Sequence, residues 1–124
     1  MVENKEIPQQ GEIWLIEFPK TKESRKPVRP CLVISNNLQN KHDEEIIVAA
    51  ITTQEVIPGE VQFFEIPIIA NQETGLNETS RILLNRIHTV DKKLRLLKRL
   101  GKVKPEIWES VLKSFWLALT NKQA

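Results

Sequence analysis

Short apolar runs rich in β-branched residues, each closed by proline, glycine or asparagine, restrict the fold of this chain more than any other feature. Such runs are typical of β-strands, because branched side chains pack well on a pleated sheet. Residues 46–53 are apolar almost throughout, which predicts a strand buried on both faces. Pro67 indicates an edge strand or a bulge, and Asn36 and Asn37 are expected to end the second strand. The predicted strands are residues 13–18, 31–35, 46–53, 61–69 and 80–90.

The C-terminal segment has the periodicity of a helix. Pro105 suits the first turn of a helix, and apolar side chains follow it at helical spacing, at Ile107, Val111, Leu112, Phe115 and Leu119. Residues 92–103 fit either a helical turn or a short strand. Short strands followed by one terminal helix predict a mainly β domain, either a small barrel or a strongly bent sheet. We expect a flexible arm over residues 1–8 and a single domain over residues 9–121.

Composition excludes several kinds of site. The 124-residue chain has one cysteine, Cys31, so it holds neither a disulfide framework nor a cysteine-rich zinc site. Cys31 lies in an apolar run and is interpreted as a core residue. His42 and His88 are far apart in sequence, without carboxylates at ligand spacing, so no metal or other cofactor is predicted. The sequence also has no signal-peptide core and no apolar run of membrane-spanning length, which indicates a cytoplasmic protein without membrane contact.

The charges are unevenly distributed along the chain. The net charge is only +2, but residues 79–104 hold nine basic side chains and one acidic side chain. Within that segment, residues 92–104 hold seven basic side chains and no acidic one. Such a surplus favours an anionic partner, either RNA or an acidic protein segment, although an ordinary solvated surface has the same composition.

Short polar motifs stand where the predicted strands meet loops. Pro30 restrains the backbone of Arg29 to an extended shape, which aims a guanidinium whose planar fork suits a phosphate. Thr52 and Thr53 close the third strand, where their hydroxyl groups are placed to hydrogen-bond a phosphate or a ribose. Residues 19–28 form a polar loop with two prolines and four basic residues. These motifs favour phosphate chemistry, but each is also common in proteins without such a site.

The order of the motifs carries a resemblance to a known family. The motifs are Gly-Glu-Ile-Trp at 11–14, Val-Arg-Pro-Cys-Leu-Val-Ile-Ser-Asn at 28–36, Ile-Val-Ala-Ala-Ile-Thr-Thr at 47–53, Thr-Gly-Leu at 74–76, Ser80, and Ile-His-Thr-Val-Asp-Lys at 87–92. From about residue 10 to about residue 119, the chain resembles the MazF/PemK family of toxin–antitoxin endoribonucleases. The Arg-Pro block and the alanine-rich strand that ends in Ile-Thr are the most specific of these motifs.

The resemblance implies a fold, an activity and a set of partners. The fold is the family's SH3-like barrel, a curved antiparallel sheet with a C-terminal helix, assembled as a homodimer. The activity is sequence-selective cleavage of single-stranded RNA without a metal, by a toxin of a type II toxin–antitoxin system. The cognate antitoxin inserts an acidic, initially disordered C-terminal segment into the groove that RNA occupies. Toxin–antitoxin complexes of this kind also bind DNA.

The resemblance also assigns roles to residues. The family's catalytic arginine and threonine fall on Arg29 and Thr52. The residues expected to bind RNA are Ser24, Arg25, Lys26, Thr53, Gln54, Ser80, Arg86 and Lys92. In this chemistry the 2′-hydroxyl of RNA attacks the phosphorus, Arg29 stabilises negative charge, and a 2′,3′-cyclic phosphate forms. The proton acceptor is left open, because free arginine, with a pKa above about 12, is a poor base, and His88 is interpreted as a structural or surface histidine.

Two other functions fit parts of the pattern. CcdB-type gyrase poisons share the fold, but this sequence lacks their typical Trp-Gly-Ile tail and contains Arg29 and Thr52. A non-catalytic RNA-binding or regulatory module is the second alternative, and it would use the same barrel. RNA cleavage separates the endoribonuclease from both alternatives, and a supercoiling assay identifies a gyrase poison.

Overall fold

A computed structural model describes residues 6–19, 27–55 and 57–121. The elements in these ranges are β1 (Glu12–Glu17), β2 (Val28–Val33), α1 (Asn37–His42), β3 (Glu45–Thr52), β4 (Glu65–Ile68), β5 (Ser80–Asp91), α2 (Lys92–Arg95), β6 (Leu96–Lys102) and α3 (Pro105–Thr120). The strands form one sheet in the order β4-β5-β3-β2-β1-β6, and neighbouring strands are antiparallel. The prediction of a mainly β domain with a C-terminal helix is therefore confirmed.

The sheet is curved. Phe18, which follows β1, has its ring centroid 5.0 Å from that of His88 on β5. These two strands are three positions apart in the sheet, and a flat sheet would separate them by about 14 Å. The sheet therefore bends towards the face that carries both rings, which we call the concave face. In the described part of the chain, β4 and β6 remain its edges, so the barrel is not closed by hydrogen bonds.

Each face of the sheet carries its own apolar cluster. Helix α3 packs on one face, where Val111 joins Ile13, Leu32 and Ile82 in the larger cluster. The cluster on the concave face contains Trp14, Ile16, Cys31, Val33, Ile46, Val48, Val90 and Leu96, with Phe18 packed against it. Alternate residues of β1, β2 and β3 enter opposite clusters, so these strands are buried on both faces, as the apolar run in β3 predicts.

Strand β5 contains a bulge opposite the middle of β3. Ala50 pairs with Leu83, whereas the preceding Ala49 pairs with Ile87, so residues 84–86 have no counterpart on β3. Because side chains alternate between faces, this odd number of extra residues shifts the alternation within β5. His88 consequently faces the same side as Leu83, although the two residues are five positions apart.

Several segments refine the expectations from sequence. The sequence predicts only an end to β2 after residue 35, but Asn36 caps helix α1, and its side chain accepts a hydrogen bond from the backbone N–H of Gln39 at 2.9 Å. The six-residue α1 is too short to show an apolar period. The ambiguous segment 92–103 forms both a helical turn, α2, and a strand, β6. The run around Pro67 is the edge strand β4, as predicted.

The turn before β5 packs directly on β6 through two glycines. Gly75 has a φ of +70°, and a side chain there would collide with the backbone of Leu100. A Cβ atom on Gly101 would collide with the backbone carbonyl of Glu73. The backbone N–H of Lys102 donates a hydrogen bond to that same carbonyl at 2.9 Å, so the two segments have little room to separate.

We expect the Gly101→Ala substitution to lower the free energy of unfolding by about 1–3 kcal/mol, because the added methyl group pushes two backbones apart. Urea unfolding followed by circular dichroism measures the change. Lys102→Ala, which shortens an exposed side chain in the same strand, is the matched control and is expected to shift stability by less than about 0.5 kcal/mol. Equal unfolding midpoints for Gly101→Ala and the wild type would contradict the close backbone contact.

Candidate functional site

The strand register brings Arg29 and Thr52 together. Strands β2 and β3 pair with Cys31 opposite Ala50. The same register continued by two residues places Arg29 opposite Thr52, and opposite residues of an antiparallel pair carry their side chains on the same face. Both side chains are half-buried, and they lie on the concave face beside Cys31 of the apolar cluster. The two residues that the resemblance assigns to catalysis are therefore neighbours.

The end of β3 orients the Thr52 hydroxyl. Its oxygen accepts a hydrogen bond from the backbone N–H of Gln54 at 3.1 Å. This contact occupies a lone pair and keeps the hydroxyl hydrogen for donation to an anionic oxygen. The neighbouring Arg29 adds a positive charge and a planar set of N–H donors. A phosphate group placed between the two side chains would meet donors from both strands.

His88 lies on the same concave face. It is opposite Val48 of β3, and its ring packs against Phe18 with an interplanar angle of 58°, while the residue as a whole is exposed. Partial burial lowers the pKa of His88, and the positive charges of Arg29 and Arg86 lower this pKa further. The imidazole is therefore neutral at pH 7, and it is able to accept a proton.

Arg81 ties the loop after Thr52 to the sheet. It is opposite Thr52 in the register of β3 and β5. Its guanidinium donates to the backbone carbonyl of Glu60, lies 2.8 Å from the carboxylate of Glu65 and lies 3.7 Å from that of Glu55. The Glu65 side chain is fully buried, and its second oxygen, Oε2, has no hydrogen-bond partner among the described residues. The loop that carries Thr53 and Gln54 is thus held by a nearly buried ion pair.

An apolar cavity of about 420 Å³ opens elsewhere on the concave face, next to β1 and β6. Its walls include Trp14 and Leu96, which belong to the concave apolar cluster, and Pro8, which is buried. Lys92 and Lys93 also line it. Residues 6–8 of the predicted arm therefore lie against the sheet, whereas residues 1–5 fall outside the described ranges.

The described side chains do not favour thiol chemistry or a metal site. Burial raises the pKa of the Cys31 thiol to about 12, although Arg29 acts in the opposite direction, so the thiol stays protonated at neutral pH and is a poor nucleophile. Over residues 6–19, 27–55 and 57–121, no group of three or more histidine, cysteine or acidic side chains is placed to hold a metal ion. None of the helices in those ranges is long and apolar enough to span a membrane.

Comparison with known proteins decides the family. Residues 9–119 match the family of PemK-like, MazF-like toxins of type II toxin–antitoxin systems. The chain belongs to this family. It is also 30% identical over 117 residues to the endoribonuclease EndoA of Bacillus subtilis (strain 168), an alignment that covers 91% of this chain and 95% of EndoA.

Solved structures share the fold of this MazF-like chain. MazF from Deinococcus radiodurans matches with a TM-score of 0.74 and 18% identity, covering 95% of this chain and 100% of MazF. An endoribonuclease from a mycobacterial species, solved in complex with its cognate antitoxin, matches with a TM-score of 0.68 and 19% identity, covering 93% of this chain and 95% of that one. These matches confirm the predicted fold class.

Three of the predicted RNA-binding residues of this MazF-like chain are exposed and lie next to Thr52 in sequence or near His88. Thr53 and Gln54 directly follow Thr52 and are exposed, and Arg86 is exposed in the β5 bulge, where its charge acts on His88. Ser24, Arg25 and Lys26 lie outside the described residues. The RNA-binding roles of all these residues stay predictions.

Two other predicted RNA-binding residues are not brought to this pair. Ser80 is 4% exposed, alternates with Arg81 onto the face of the larger cluster, and donates its hydroxyl hydrogen to the backbone carbonyl of Glu78 at 2.8 Å. The ammonium group of Lys92 donates to the carbonyls of Asn40 and Lys41 at the end of α1, at 2.7 and 3.2 Å. Their observed contacts are structural, and their RNA-binding roles also stay predictions.

Sequence reasoning missed two features of the site. It interpreted His88 as a structural or surface histidine without predicting that this exposed residue shares a face with Arg29 and Thr52. It also did not find the Arg81–Glu65 pair, which joins residues from different strands. The only signal for the position of His88 is the change of phase in β5, where Ile82 and Leu84 of the larger cluster are followed by Ile87, three positions further on.

Proposed function

We propose that this chain is the toxin of a type II toxin–antitoxin system and cleaves single-stranded RNA at selected sequences, without a metal ion. Attack of the 2′-hydroxyl on the adjacent phosphorus produces a 2′,3′-cyclic phosphate and a 5′-hydroxyl end. The observation that carries the proposal is that half-buried Arg29 and Thr52 lie on the same face of the adjacent strands β2 and β3, where the register of Cys31 and Ala50 continued by two residues makes them opposite. The similarity to EndoA, which is named an endoribonuclease, supports it.

The site residues suit this reaction because RNA brings its own nucleophile. The protein has to hold the phosphate, align the 2′-oxygen with the phosphorus and stabilise the extra negative charge of the transition state. Arg29 supplies a compensating positive charge and two parallel N–H donors, and Thr52 donates its hydroxyl hydrogen to a phosphate oxygen or fixes the ribose. Thr53, Gln54 and Arg86 extend the surface along the strand of RNA on either side.

Two protein partners complete the proposal. A homodimer would cover the exposed row formed by Leu112, Trp116 and Leu119 on α3, which are 47%, 49% and 68% exposed at helical spacing. A cognate antitoxin with an acidic segment would meet the basic residues 92–104, and a fold neighbour of this chain has been solved with its antitoxin. Both partners stay part of the proposal, together with DNA binding by the toxin–antitoxin complex and a cytoplasmic location.

The proposal predicts that the purified chain cuts a long, weakly structured RNA at discrete sites in EDTA. Primer extension locates the cuts. Polynucleotide kinase labels the new 5′ ends without prior phosphatase treatment, because these ends carry hydroxyl groups. Treatment with dilute acid converts the cyclic 3′ ends to a mixture of 2′- and 3′-phosphates.

Other results would contradict the proposed mechanism or indicate one of the alternative functions. Cleavage that appears only after Mg²⁺ is added contradicts the metal-independent mechanism. RNA that stays intact but binds the chain, with an affinity that falls as salt rises, indicates the non-catalytic module. Inhibition of gyrase in a supercoiling assay, with RNA intact, indicates a gyrase poison.

A further inference from the structure

The proposed cleavage needs a proton acceptor for the 2′-hydroxyl, and the Arg29–Thr52 pair does not supply one. Guanidinium groups stay charged in proteins and do not release a proton at neutral pH. A threonine hydroxyl that donates to the phosphate is likewise no base. The missing group has to be neutral near pH 7, exposed to substrate and close to the phosphate site. The need for such a group rests on the proposed function.

His88 is exposed and lies near enough to Arg29 for the charge of Arg29 to act on its imidazole. Through its pairing with Val48, its side chain lies on the concave face that also carries Arg29 and Thr52. The bend of the sheet brings Phe18 to 5.0 Å from its ring, so one side of the imidazole rests on an aromatic wall. The side chain as a whole is exposed, which leaves it open to solvent and to RNA.

The charges around His88 keep it unprotonated. On β3, its neighbour Val48 is apolar, and Phe18 presents an aromatic ring after β1. The charged groups that act on it among the described residues are both cations, Arg29 from β2 and Arg86 from the bulge of β5. Partial burial has the largest effect and these two charges have smaller ones, and together they lower the pKa of His88 below its usual value of about 6.5. A neutral imidazole therefore predominates at pH 7.

We propose that His88 is the general base of the cleavage reaction. Its unprotonated ring nitrogen takes the proton of the 2′-hydroxyl as the 2′-oxygen forms a bond to phosphorus. The bond from phosphorus to the 5′-oxygen breaks, and this oxygen takes a proton from solvent water to become the 5′-hydroxyl. The imidazolium then returns its proton to solvent. Arg29 stabilises the negative charge on the phosphoryl oxygens. That negative charge in turn stabilises the neighbouring imidazolium.

The pH dependence of kcat/KM, measured on a short single-stranded RNA that carries one cleavage site, tests this role. The wild-type value is expected to rise with pH up to a pKa below about 6.5 and then to level off, because only neutral His88 accepts the proton. In His88→Gln, kcat is expected to fall about 100-fold while KM stays nearly unchanged, and the rise at low pH disappears. His42→Gln, which alters the exposed histidine on α1, is the matched control and keeps the wild-type profile.

Three outcomes would overturn the assignment. If His88→Gln keeps the wild-type kcat, His88 is not the base, while the proposed endoribonuclease function stands. If kcat falls but the residual activity keeps the same rise at low pH, the residue acts only through structure. If the wild type does not cut RNA at all, the proposed function fails first and the role of His88 fails with it.

Discussion

Replacing Arg29 with alanine is expected to lower kcat for RNA cleavage about 100- to 1,000-fold. The guanidinium is the group we expect to face the negative charge that grows on the phosphate, and removing one such donor typically has an effect of this size. The substitution also takes a cation away from His88, whose pKa Arg29 lowers. The low-pH rise of kcat/KM is therefore expected to move to higher pH in this variant. Single-turnover cleavage of a labelled oligonucleotide measures both effects.

Two further variants define what Arg29 contributes. Arg29→Lys keeps the positive charge but loses the planar fork, so we expect a rate between those of the alanine variant and the wild type. Lys113→Ala removes an exposed cation from α3, and its cleavage rate is expected to equal that of the wild type. Thermal unfolding shows whether each variant is folded. A folded Arg29→Ala protein with wild-type kcat would assign charge stabilisation to another residue of the concave face.

Replacing Arg81 with alanine is expected to lower the free energy of unfolding by about 3–5 kcal/mol. The side chain of Glu65 is fully excluded from solvent, and Arg81 is the cation that compensates its charge, at 2.8 Å. The backbone N–H of Gln62 donates to the same carboxylate oxygen, whereas Oε2 has no partner among the described residues. Without Arg81 the fold would bury an uncompensated carboxylate, and breaking buried pairs typically costs about this much. Urea unfolding at pH 7 measures the loss.

The same ion-pair network offers its own control. Glu55 also faces Arg81, at 3.7 Å, but its side chain is 44% exposed, so Glu55→Gln is expected to change stability by less than about 1 kcal/mol. The double substitution Glu65→Leu with Arg81→Met removes both charges and is expected to recover most of the stability that Arg81→Ala loses. If Arg81→Ala is no less stable than Glu55→Gln, the buried pair does not hold the loop after Thr52.

The sequence predicts the parts of this molecule that depend on local pattern. The apolar run in β3, the spacing of apolar residues in α3 and the proline in β4 each mark the element that the structure contains. The Arg29–Thr52 pair is also accessible from sequence, but only through the resemblance to a family. Neither residue alone shows that the two strands align them, because the register between β2 and β3 depends on contacts that are distant in sequence.

The remainder of the site depends on long-range geometry. Lys92 matches a basic motif, yet its charge is directed to the end of α1, a helix that the sequence does not reveal. Ser80 matches another motif, yet alternation in β5 turns it to the buried face. His88 shows the reverse case, because a regular strand counted from Leu83 would place it on the wrong side. Sequence patterns predict helices and strands well, whereas the face of the sheet on which an individual side chain lies depends on bulges and bends.

The bulge in β5 also limits how this sequence can change in length during evolution. Residues gained or lost in the loop between β3 and β4 lengthen or shorten a connection and leave the sheet intact. A single residue gained or lost within 84–86 would instead reverse the sidedness of every position between there and Asp91. His88 would turn into the apolar layer beneath α3, and Ile87 would take its place on the concave face. Changes in loop length are thus compatible with the sheet, whereas a change in the length of this one strand would change which side chains lie on the concave face.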